Sequence, residues 1–162
     1  MRASQLGQAI LIGAGATAAM DAAAEVLRRT RGIQPLDYRL LGRWLGHVPR
    51  GIYRHDSIRS APEVRHEKAI GWAAHYSIGI GFTVAMVGAE PSWLELPTLR
   101  RALAMGLATV AAPWFVMQPA FGLGVAASKA PNPAAARLGS LRAHAIYGLG
   151  VWASARAVRA LS

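Results

Sequence analysis

Residues 67–88, EKAIGWAAHYSIGIGFTVAMVG, constrain this chain more than any other stretch. The run is long enough to cross the hydrocarbon core of a bilayer, which takes about 20 helical residues. A core helix of a soluble protein carries a polar face at the helical period, and this run has almost none. It nevertheless holds His75 about two turns inside. Three more apolar runs accompany it, so crossings are expected over residues 6–27, 67–87, 99–119 and 140–161. The expected fold is all-α: one integral membrane domain over residues 1–162, polytopic, with four transmembrane helices in a bundle. Charged residues make up 16% of the chain, against about 25% in an ordinary soluble domain.

Eighteen Lys and Arg against eight Asp and Glu give a net charge of +10. In a soluble chain that balance would point to nucleic acid. Here the arginines gather in residues 28–66, between apolar runs, where they act as a topology signal and no nucleic-acid partner is expected. The positive-inside rule then places that loop in the cytoplasm and both termini in the periplasm. Arg2 followed by an apolar run loosely resembles a signal peptide. The run continues into Asp21, Glu25 and a basic stretch, so it is expected to stay as the first crossing. The chain has no cysteine, which excludes disulfides, iron–sulfur clusters, thiolate metal sites and covalently attached haem.

Within the loop, residues 37–47 predict a short amphipathic helix at the membrane interface, with Leu40, Leu41, Trp44 and Leu45 on one side. Gly46, Pro49 and Gly51 end it. Ser60 is a candidate cap for the second crossing, and Trp93 reads as an interface anchor. Gly7, Gly13 and Gly15 in the first crossing suit close helix packing in lipid, as do the pairs Gly79/Thr83 and Gly81/Ala85. Pro113 predicts a kink in the third crossing.

Ionisable side chains inside a crossing normally face the bundle interior and pair there. Asp21 lies roughly 10 Å inward from Arg28, and His75 roughly 12 Å inward from Glu67, at the helical rise. They are the expected pair, in the cytoplasmic half, where His144 and Gln118 also fall, with Glu67 near the membrane surface and His47 and His55 in the adjoining loop. Without thiolates, His, Asp and Glu suit Zn, Fe or Mn. Asp21, Glu67, His75 and His144 are the candidate metal ligands. His47 and His55 are candidate cofactor ligands, for a metal or as axial ligands of a b-type haem. No HExxH or paired HxxHH motif is present. A structural hydrogen bond between helices and a proton path remain open readings of His75 with Asp21. The loop arginines are expected to meet anionic lipids, and Arg43, Arg50 and Arg54 suit a phosphate-bearing ligand.

Several strings carry a resemblance: GRWLGHVPRGIYRHDSI at residues 42–58, EKAIGWAAHYSIGIGF at 67–82, PWFVMQPAFGLGVAASKAPNP at 113–133, RLGSLRAH at 137–144, and Met20-Asp21. Together they resemble a family of small bacterial inner-membrane proteins of unknown function. That resemblance implies four crossings and the bacterial inner membrane, and it implies no activity. Arg65-His66 departs from the smaller, Gly-like stretch expected before Glu67. Two functions follow as expectations. One is a membrane protein binding a metal or haem at the His/Asp/Glu site. The alternative is a non-catalytic accessory subunit or assembly factor of a larger complex, with a homo-oligomer as another form of partner.

Overall fold

A computed structural model describes residues 1–161, and among these all regular structure is helical. Helix α1 spans Ala3–Arg31. It stops at Gly32, whose left-handed φ of 67° lets its N–H and that of Ile33 reach the carbonyls of Arg28 and Leu27, a glycine-terminated end with basic residues in the last turn. Helix α2 spans Tyr38–His47, and the Asp37 carboxylate accepts from the Arg39 N–H at its start. Helix α3 spans Glu67–Ala89 and α4 spans Leu99–Ala120. Helix α5 spans Pro133–Ala160, with Asn132 accepting from the Ala135 N–H at its first turn.

Helices α1, α3 and α4 are long and apolar enough to cross a membrane. Helix α5 matches them in length, at 28 residues. Its interspersed Arg137, Arg142, Arg156 and Arg159 keep it from matching them in apolarity. It also begins well before residue 140, because Asn132 and Pro133 form a favourable helix start.

Three local expectations change. Ser60 does not cap α3: its hydroxyl donates to the Ser57 carbonyl. Trp93 is 4% exposed and packs in a core, because Pro91–Leu94 form a 3-10 turn that folds it inward. Gly81 has nothing near its missing side chain, so the Gly81/Ala85 pair makes no close contact. The expected break at Pro113 is present as a wide π turn over Pro113–Met117.

The chain forms two compact units. The first comprises residues 1–35, 76–109 and 142–161. Its core holds Ile12, Ala16, Val87, Trp93, Tyr147 and Val151, among others. Small residues bring its helices together. Side-chain atoms added at Gly13, Gly150 and Gly106 would fall within 2.9 Å of the Cα atoms of Ile80, Ala16 and Gly148 respectively. Backbones this close make van der Waals contact directly, a packing that small residues allow.

The second unit comprises residues 36–75 and 110–141. Here α2 crosses the first turns of α3 on two glycines. A Cβ at Gly42 would lie 1.8 Å from the Glu67 carbonyl oxygen, and one at Gly71 would lie 1.8 Å from that of Tyr38. Leu40, Leu41, Ile58, Ala120 and Phe121 form its core, with Trp44, Leu45 and Met117 packed against it. The segment from His55 to Ile58 is hydrogen-bonded alongside Ala120 and Phe121. It lies so close that a Cβ at Gly122 (φ 87°) would meet the Asp56 carbonyl at 2.0 Å. Gly42→Ala is therefore expected to destabilise the protein by about 3 kcal/mol or to prevent folding, since rigid backbone cannot yield. Gly139→Ala, with open space around it, is expected to be neutral or stabilising by up to about 1 kcal/mol through helix propensity. Thermal unfolding in detergent, followed by circular dichroism, checks both.

Candidate functional site

Helix α2 has charged and apolar residues on well-separated faces, yet one of its arginines points into the protein. Arg43 is 5% exposed. Its Nε and Nη2 both donate to the Glu67 carboxylate at 2.8 Å, a bidentate pair. Nη1 reaches the carbonyls of Ile58, Arg59 and Ala61 at 3.4, 3.3 and 3.1 Å, and Nη2 also reaches Glu63. Glu67 Oε2 in turn accepts from the Val64 N–H, capping the start of α3. One guanidinium thus joins α2, the 58–64 loop and the first turn of α3. Both oxygens of Glu67 are occupied in this way, the residue expected as a metal ligand.

One turn after Arg43, His47 is 2% exposed. Its Nδ1 lies 2.8 Å from His55 Nε2, so the two candidate cofactor ligands touch. Glycine and proline after His47 turn the chain back, and the His55 N–H bonded to the Ala120 carbonyl holds the second ring in place. Burial, with the neighbouring charges of His55, Arg50 and Arg43, lowers the pKa of His47 from 6.5.

His75 Nε2 and the Tyr38 hydroxyl are 2.9 Å apart, their rings stacked at 4.2 Å, with Trp72 edge-on to Tyr38. Farther along α4, Gln118 is 6% exposed. Its amide nitrogen reaches Ser140 at 3.5 Å, whereas its carbonyl oxygen is buried without a hydrogen bond, as are the indole N–H of Trp114 and Nδ1 of His55.

In the other unit, Asp21 hydrogen-bonds to Tyr76. Nδ1 of His144 lies 2.8 Å from the Thr109 hydroxyl. The Tyr147 hydroxyl donates to the Gly79 carbonyl and accepts from Thr83. The structure therefore brings His47 to His55 and gives Asp21, Glu67, His75 and His144 separate protein partners. Among the described residues, no group of three or more His, Asp or Glu side chains is placed to hold a metal ion. Sequence reasoning missed Arg43 as the partner of Glu67 and Tyr38 as the partner of His75. Helical phase gave no signal for Arg43: at about 100° per residue it lies outside the arc of Leu40, Leu41, Trp44 and Leu45.

Removing one member of a buried, hydrogen-bonded pair leaves the other uncompensated. Arg43→Met is thus expected to cost about 3 kcal/mol, and Arg43→Met with Glu67→Leu to recover part of it; thermal unfolding in detergent checks the order. The lowered pKa of His47 has a defined sign. Below 6.5 the unfolded state binds more protons than the folded state, so this contribution is intact above pH 6.5 and lost as pH falls towards the folded pKa, at about 1.4 kcal/mol per pH unit. A pH series of unfolding midpoints is expected to fall on acidification, and to fall less in His47→Asn.

No curated protein and no solved structure gives a significant match to the chain. A family model does match, over residues 10–158. With nearly its whole length covered, the chain belongs to the family described as "Protein of unknown function (DUF2938)".

Proposed function

We propose that this chain is a four-crossing protein of the bacterial inner membrane, with α5 as the fourth crossing, and that it serves as a non-catalytic accessory subunit or assembly factor of a larger membrane complex. The observation that carries this reading is the engagement of the buried ionic groups within the fold itself. Glu67 is held by Arg43 on both oxygens, a rigid polar joint rather than an open coordination site. The positive-inside rule supports a cytoplasmic loop over residues 28–66 and periplasmic termini. Its exposed arginines suit anionic headgroups, and exposed Ile52 and Tyr53 add apolar surface beside them.

A second reading is favoured by the 2.8 Å contact between His47 and His55. Two adjacent imidazoles are the beginning of a site for Zn, Fe or Mn, or for haem. A metal there would replace the shared hydrogen bond and recruit further ligands from solvent or a partner.

The absence of native cysteine makes topology directly measurable. Ser4→Cys, Ser92→Cys and Ala160→Cys are expected to react with a membrane-impermeant maleimide added to intact spheroplasts, and Ser57→Cys only after lysis. Labelling of Ser4→Cys and Ala160→Cys from opposite sides would overturn four crossings. Purification from native membranes is expected to yield a stoichiometric partner without bound metal. Stoichiometric metal or a Soret band, lost in His47→Ala, would instead establish the second reading.

A further inference from the structure

Helix α2 has the pattern of a helix that lies on a bilayer, yet its apolar face is used inside the protein. Leu40 and Leu41 are buried, and Trp44 and Leu45 pack against them in the core of the second unit. The Trp44 indole N–H, a group that would otherwise seek a headgroup, donates to the Tyr53 carbonyl at 3.0 Å. The element left to meet a membrane surface is the turn that follows. Val48–Arg50 form a 3-10 turn closed at Gly51, whose left-handed φ of 76° lets its N–H reach the Val48 carbonyl. The Ile52 N–H bonds to the His47 carbonyl, and the His55 N–H to the Ala120 carbonyl. Backbone bonds thus hold both ends of the turn while its side chains stay outside. Ile52 is 44% and Tyr53 62% exposed, between exposed Arg50 and Arg54. Neither of these arginines is in an ion pair among the described residues. Asp56 is the one acid between residues 38 and 62.

The height of the turn is fixed by the same contacts. On one side α2 rests on the first turns of α3 through Gly42 and Gly71. On the other, residues 55–58 are bonded to Ala120 and Phe121, where α4 ends. The start of α3 and the end of α4 mark one end of two crossings, the level at which hydrocarbon gives way to headgroups. We propose that the 49–54 turn, and not α2, is the element that enters the bilayer surface, with Ile52 and Tyr53 in the headgroup layer and Arg50 and Arg54 on the phosphates of anionic phospholipid. Unpaired cations on either side of an apolar tip complement a surface that is anionic outside and apolar beneath. Tyrosine is also one of the two aromatic side chains that gather at headgroup depth. The inference rests on the reading of the chain as a membrane protein, and not on the accessory-subunit role.

The test is the depth of a spin label on single cysteines of the full chain in lipid nanodiscs. Tyr53→Cys is the probe, and Leu107→Cys, at an exposed position of α4, is the membrane standard. Collisions with oxygen, which concentrates in lipid, are compared with collisions with a water-soluble nickel chelate. In phosphatidylcholine mixed with phosphatidylglycerol, the label at residue 53 is expected to favour oxygen, as the label at residue 107 does. Adding Arg50→Gln and Arg54→Gln is expected to shift it towards nickel, each arginine contributing about fivefold to partition onto an anionic surface. Phosphatidylcholine alone is expected to shift it likewise with both arginines intact. A label at residue 53 open to nickel in both lipids, with that at residue 107 in lipid, would overturn the proposal and leave the membrane reading standing. A label at residue 107 open to nickel would overturn both. A label at residue 53 shielded from oxygen and nickel alike in native membranes would assign the turn to a protein partner, and would also overturn the proposal.

Discussion

A guanidinium cannot leave water unless every N–H finds an acceptor and its charge finds a counter-charge. Arg43 meets both requirements through one carboxylate pair and a row of loop carbonyls. The consequences reach well beyond the pair. The 58–64 loop has its carbonyls aimed inward because Arg43 is there to receive them. Helix α3 starts where it does because Glu67 both answers Arg43 and caps Val64. Helix α2 must lie within touching distance of α3 for the fork to reach, which is why its contact surface is glycine on both sides. A buried pair of this kind adds little net stability over a well-packed apolar contact. Its value is in fixing one register of α2 on α3, since a slide by one residue would leave a charge in the core.

The same logic, with neutral groups, holds the first unit. Tyr147, Thr83 and the Gly79 carbonyl form a short chain between helices, and Thr109 and His144 form another. In lipid each such bond is modest, commonly below about 2 kcal/mol. Together with the small-residue contacts they select which helix faces meet. Apolar surface alone would not, because its burial is non-directional.

Much of this was legible in the residues. The long apolar runs give α1, α3 and α4 directly, and the alternation of Leu40, Leu41, Trp44 and Leu45 with arginines gives α2. Gly13 and Gly79 mark true close contacts, and Pro113 marks a true irregularity. The expected polar level was only partly legible. Depth along a helix can be counted from a sequence, but azimuth depends on packing, so Asp21 could be placed by height and not matched to Tyr76. Partners that carry no charge, such as Tyr38 and Thr109, are invisible to a search for ionisable groups. Trp93 was read as an anchor because aromatic residues beside a crossing usually are; the 3-10 turn that buries it depends on contacts beyond the local sequence.

The wide turn over Pro113–Met117 has a consequence for how the third long helix is built. A turn with one residue more than the α repeat advances the residues after it by about 100° around the axis. Gln118 therefore falls on a different stripe of the sequence from the one an unbroken α repeat after Val110 would give it. A single-residue deletion there would restore an unbroken repeat while swinging Gln118 away from Ser140. The phase of the helix after Pro113, more than the identity of any one side chain, is what brings Gln118 to Ser140.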